Sequence, residues 1–172
     1  MKSKQVESKV LNDFEKRLVI FFYIVAGLGL GAILFQFAPA FRLSLESGTF
    51  IENASGFSAF FGDNYYVDNP WGIIADVAIV LAAILSLIFA IAVQNKKHWR
   101  NKNMLVIISL SLNIVAVVML YVASATFATL NTLEALMEVS TFAWGFVVSA
   151  ALVITAMFIE WFFVNRLNDK DA

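Results

Sequence analysis

The chain has 172 residues, 60% of them hydrophobic and only 15% charged, with a formal net charge of −1 and a mean hydropathy of +0.79. Soluble domains carry roughly 45–50% apolar and about 25% charged residues, and burial at this length is only about 70% complete. The composition therefore argues against a soluble enzyme and makes lipid the solvent for much of the chain.

Individual counts exclude further chemistry. Cysteine is absent and His98 is the single histidine, so disulfides, thiol nucleophiles, Cys-type zinc sites and HExxH metallopeptidases are excluded. Gly27, Gly29 and Gly31 lie inside an apolar run, not at a strand-to-helix turn, and so form no nucleotide fingerprint. No basic stripe suggests nucleic acid. The sequence predicts no catalytic residues, no cofactor and no metal, and the expectation is a non-enzymatic protein.

The N-terminal arm places Val6, Val10 and Phe14 four apart among lysines. That spacing suits an amphipathic helix on the cytoplasmic leaflet or an extension of the first span. Charge-free runs follow, of 24 residues at 18–41, 19 at 77–95, 31 at 103–133 and 21 at 139–159. A helix needs about 20 apolar residues to cross a roughly 30 Å hydrocarbon core. Lipid leaves the backbone no hydrogen-bond partner outside itself. The expected fold is thus an all-α integral membrane protein, one domain with four transmembrane helices at about 18–41, 72–95, 104–125 and 140–163.

Charge sets the expected orientation. Of the twelve Lys and Arg residues, eleven lie in the N-terminal arm, the loop at 96–103 and the C-terminal tail. Arg42 alone falls on the opposite side, which carries seven acids. The positive-inside rule then makes both termini cytoplasmic. Trp71 and Trp144 fall at the predicted outer ends of spans and Trp99 and Trp161 at inner ends, where indole rings anchor to the interface.

The outer loop at 42–70 is the longest soluble segment. Alternation over 42–46 and again over 49–52, around Ser47-Gly48, predicts a small β-hairpin. Phe57, Phe60 and Phe61 follow; they are expected on the membrane surface or as a cap on the bundle, or else as a partner-binding patch. In the third loop Leu130, Leu133, Glu134, Met137 and Glu138 recur at helical spacing, which predicts an amphipathic continuation of the third helix.

Polar groups within spans are functional candidates by default. Asp76 lies about one turn inside the second span, and Arg42 at similar height is its expected partner. Glu160 lies near the inner end of the fourth span and is expected to reach headgroups or the basic residues Lys96, Lys97 and Arg100. Ser109, Asn113 and Ala116 share a helix face. Asn113 and Ser149 reach comparable depth and are expected as interhelical glue. Gly27 and Gly31 form a small-residue stripe on the first span, and Gly145 offers a close-packing position on the fourth.

This order of span, acidic aromatic loop, span, basic turn, span, short loop and span resembles the claudin-like layout. The W-x-x-x-W block and cysteine pair of that family are absent, with only Trp71 after Asn69-Pro70, so junction-forming activity is not carried over. The stretch Ser55-Gly56-Phe57-Ser58-Ala59-Phe60-Phe61-Gly62 also looks like uncharacterised four-helix proteins of Gram-positive bacteria and mollicutes. That likeness implies a multi-pass protein of a bacterial plasma membrane. Two functions remain: a scaffold or accessory subunit presenting 42–70 to a membrane-protein partner, or a small oligomeric transporter or channel using Asp76, Asn113 and Glu160. A dry bundle centre favours the first and a continuous polar cavity the second.

Overall fold

A computed structural model describes residues 11–45, 50–63, 66–95, 102–130, 137–140 and 143–171. The chain is mostly helical. In order it forms α1 (Asp13–Phe35), β1 (Pro39–Leu45), β2 (Phe50–Ser55), α2 (Gly56–Phe61), α3 (Pro70–Gln94), α4 (Lys102–Leu130), β3 (Met137–Ser140) and α5 (Trp144–Asp171). The stretches Asp13–Phe35, Pro70–Gln94, Asn103–Phe127 and Trp144–Arg166 are long and apolar enough to cross a bilayer.

Helix boundaries follow from local chemistry. Asn12 caps α1, with its side chain accepting from the Glu15 N–H at 2.8 Å while the Glu15 carboxylate accepts from the Asn12 N–H at 2.9 Å. The apolar run continues to Phe41, but α1 stops at Phe35. Pro39 lacks an N–H and disfavours helix at Ala38. The last turn therefore tightens, with bonds from Gln36 N to Ile33 O, Phe37 N to Leu34 O and Ala38 N to Phe35 O. The six residues 36–41 then pass through a turn into β1 instead of lengthening the span. Asn69 caps α3 ahead of Pro70, accepting from Trp71 N. Its amide also donates to Ala123 O at 2.9 Å and Thr126 Oγ1 at 3.2 Å, tying the start of α3 to the end of α4.

At that same end the three strands form one antiparallel sheet in the order β2-β1-β3. Leu43 in the central strand pairs with Glu52 on one side and Val139 on the other. This corrects the helical expectation for the third loop. Helix α4 does run on to Leu130, but Met137 and Glu138 belong to a strand, while Leu133 and Glu134 lie outside the described residues. A spacing of three and four is compatible with a helix, but a free edge on β1 offers backbone hydrogen bonds that an exposed helical turn lacks. The residues joining β1 to β2, 46–49, also lie outside the described set.

The bundle is packed through small residues. Ala75, Ala78, Ala82, Ala83 and Ala90 of α3 are all buried. The position a Gly29 Cβ would occupy is 3.0 Å from the Ala83 Cβ, so α1 and α3 approach closely. Phe41, Tyr66, Phe127 and Phe146 close the core under the sheet, Phe41 stacking on Phe127 at 4.3 Å. Phe22, Phe89 and Phe163 fill the opposite end, with Phe22 and Phe89 4.5 Å apart. Large aliphatic side chains such as Leu30, Leu34, Leu81, Ile84 and Ile91 point outward. That arrangement costs little in lipid and would be untenable in water.

Candidate functional site

Two clusters of polar side chains lie inside the bundle. The first sits near the sheet. Gln36, one residue past α1, is 1% exposed. Its amide nitrogen donates to Ser149 Oγ on α5 at 3.2 Å and, at the long distance of 3.4 Å, to Asp76 Oδ1 on α3. Ser149 in turn donates to Ala32 O of α1 at 3.0 Å. The Gln36 carbonyl oxygen is buried without a hydrogen-bond partner and lies directly against Gly56, where any side chain would collide with it. The backbone oxygen of Gln36 accepts from Phe57 N at 2.8 Å. Gln36 thus links three spans and docks α2 onto them.

The second cluster lies toward the other end. Glu160 on α5 is 0% exposed. Ser86 of α3 and Ser109 of α4 donate hydroxyls to its Oε1 at 2.8 and 2.5 Å, and Asn113 of α4 donates its amide to Oε2 at 2.8 Å. The two serine oxygens are 3.0 Å apart, and Ser109 also approaches Ala82 O at 2.9 Å. Glu160 stands six residues before Arg166, about 9 Å along the helix axis. This corrects the expectation that Glu160 reaches the headgroups or the basic loop: its carboxylate turns inward and is satisfied by three helix-borne donors. Among the described residues the ion pair is Lys16–Asp13 at the surface, and no group of three His, Asp or Glu side chains suits a metal.

The remaining sequence-predicted positions separate as follows. Asn113 and Ser149 are both buried glue, yet they serve different clusters and do not meet each other. Asp76 is buried, and its described partner is Gln36; the side chain of Arg42 lies outside the described residues. Phe57 and Phe61 are exposed, whereas Phe60 is fully buried, against Gly72 of α3. Gly145 packs hard on the α1–β1 corner, and Gly31 meets Leu152 of α5. Gly27 faces open space; within the chain the close approach belongs to Gly29 instead.

Sequence reasoning missed Gln36 and Ser86. Both stand as polar residues in charge-free runs, and that setting was the one signal available for them. Compared with family models, curated proteins and solved structures, the chain shows no match to any of them. Its functional reading therefore rests on the geometry alone.

Proposed function

We propose that the chain is a non-enzymatic integral membrane protein, a scaffold or accessory subunit that presents its sheet end to a partner. In this reading both termini are cytoplasmic, the membrane is a bacterial plasma membrane, and 42–70 is an outer loop carrying a hairpin, in a claudin-like order of elements. The observation that carries it is the separation of the two polar clusters. Asp76 belongs to one and Asn113 with Glu160 to the other. Ile79 on α3, Ala116 and Leu120 on α4, and Val153 on α5 occupy the intervening turns as part of the buried apolar core. Polar groups paired with one another across such a layer act as interhelical glue, and a transport path would need them continuous.

Above this closed bundle, two loops contribute to a single sheet, and α2 leaves Phe57 and Phe61 more than 40% exposed. Exposed aromatic rings on a fixed element suit a binding surface. Recovery of the protein from its native membrane in mild detergent is expected to bring a stoichiometric partner, which is lost with Phe57→Ser together with Phe61→Ser. Phe60 is left intact in that experiment because its ring is core. Recovery of a lone monomer would sink the scaffold reading, and loss of a measured ion or solute flux in Asp76→Asn or Glu160→Gln would favour transport instead.

Orientation has its own test, made simple by the absence of native cysteine. A membrane-impermeant maleimide added to intact cells is expected to label Asp68→Cys and to spare Asn165→Cys until the cells are opened. Both positions are exposed. The reverse pattern would invert the topology.

A further inference from the structure

On the outward side of α1 and α3, below α2, lies a cavity of about 280 Å³. Val77, Val80 and Leu81 of α3 form one wall, and Phe37, Phe57 and Phe61 form a roof. The roof is a continuous aromatic slab: Phe37 and Phe57 stack at 5.0 Å with planes 16° apart, and Phe57 and Phe61 at 4.8 Å with planes 27° apart. It is held rigidly, because Ser55 caps α2 and the Phe57 N–H is bonded to Gln36 O. The slab closes the cavity toward the sheet. The mouth opens sideways, between side chains that are themselves exposed on the bundle surface, including Val77 and Leu81.

The location identifies the occupant. The wall residues sit seven to eleven positions into α3, about 10–17 Å along its axis, within a span long enough to cross the bilayer. The accessible lining offers water no polar surface, so nothing holds a water molecule there. Gln36 and Asp76 reach the back of the cavity while their amide and carboxylate face each other, so the accessible wall is apolar. A water-soluble ligand has neither a route past the slab nor a polar group to meet. Hydrocarbon arriving through the membrane has both access and a matching surface.

We propose that this cavity is a lipid-chain site: one acyl chain of a bilayer glycerolipid enters it sideways and lies beneath the Phe37–Phe57–Phe61 slab. The groove between α1 and α5, lined by Phe21, Thr155 and Phe162 among others, has no such roof, since all its lining comes from the two helices. It serves as the internal control. A chain in the roofed cavity would lie directly beneath the rings that α2 exposes. The site itself does not depend on the scaffold reading.

The test is native mass spectrometry of the full chain purified in mild detergent and supplied with dioleoyl phosphatidylglycerol. One lipid is expected to remain bound under activation that strips the others. Val77→Phe combined with Val80→Phe fills the cavity from a lipid-facing wall and is expected to reduce that adduct at least tenfold. Thr155→Phe in the unroofed groove is expected to leave it unchanged. Should the double variant not fold, Phe37→Ala opens the slab from its most exposed ring and is expected to lose the adduct likewise. An adduct insensitive to these changes would overturn the proposal. So would a lipid-free dimer that the filled cavity disrupts, which would make the face a seat for a second chain.

Discussion

Glu160→Ala is expected to destabilise the bundle by about 2–4 kcal/mol, while Glu160→Gln costs less than about 1 kcal/mol. The alanine removes a fully buried side chain, strands the Asn113 amide, and leaves the Ser86 and Ser109 hydroxyls only each other and Ala82 O as partners. Interhelical hydrogen bonds in membranes average about 0.6 kcal/mol and reach about 1.7 kcal/mol. Three of them at the average value sum to about 1.8 kcal/mol, and the cavity left behind raises the loss above that. A glutamine keeps an acceptor for both hydroxyls, and Asn113 can turn its amide oxygen toward the new NH2 group. Unfolding by titration of sodium dodecyl sulfate into mild detergent, followed by tryptophan fluorescence, measures the difference. Equal losses for alanine and glutamine would mean that burial of the side chain, not the hydrogen-bond network, stabilises this layer.

Gly145→Val carries the second large effect, about 3 kcal/mol, against almost none for Gly27→Ala. A Cβ at Gly145 would stand 2.7 Å from Pro39 O, 2.9 Å from the Ala38 Cβ and 3.0 Å from Phe35 O. Two of those three atoms are backbone, so relief requires moving the α1–β1 corner away from α5, and overpacking of this kind typically costs 1–3 kcal/mol. At Gly27 nothing lies within 4 Å, and alanine is the better helix former by up to about 1 kcal/mol. The same detergent titration reads both. A Gly27→Ala protein that changed its oligomeric state would reveal a second chain on that stripe.

Legibility in the sequence differed between these two sites. Gly145 was recognisable as a packing glycine, whereas the expected close-packing stripe took Gly27 in place of Gly29. Both sit in one apolar run, and no polar face marks which side meets α3. In water, the alternation of polar and apolar residues orients a helix; in lipid both faces are apolar and that signal fades. Asn113 and Ser149 were legible as buried glue for the same reason that ionisable groups are: an apolar span tolerates few polar residues that have no role. Their partners were not legible, because depth estimated from sequence fixes height along a helix but not rotation about it.

The sheet follows the same division. Alternation over 42–46 predicted extended chain, but the charge-free run carried the expected helix through Pro39 to Phe41, past its actual end at Phe35. Nothing local distinguished Met137–Ser140 from another helical turn, because the reason it is a strand lies nearly a hundred residues away, in the free edge of β1.

The sequence by itself determined the solvent, the four apolar helices and which polar residues must find partners. Those are properties of composition and run length, and the cost of exposing backbone to hydrocarbon leaves no alternative. The tertiary structure alone decided that Glu160 turns inward, that Gln36 rather than an ionisable residue joins three spans, and that the third loop completes the sheet. Each of these depends on a hydrogen-bond partner brought near by folding, and partners distant in the chain leave no mark on local pattern.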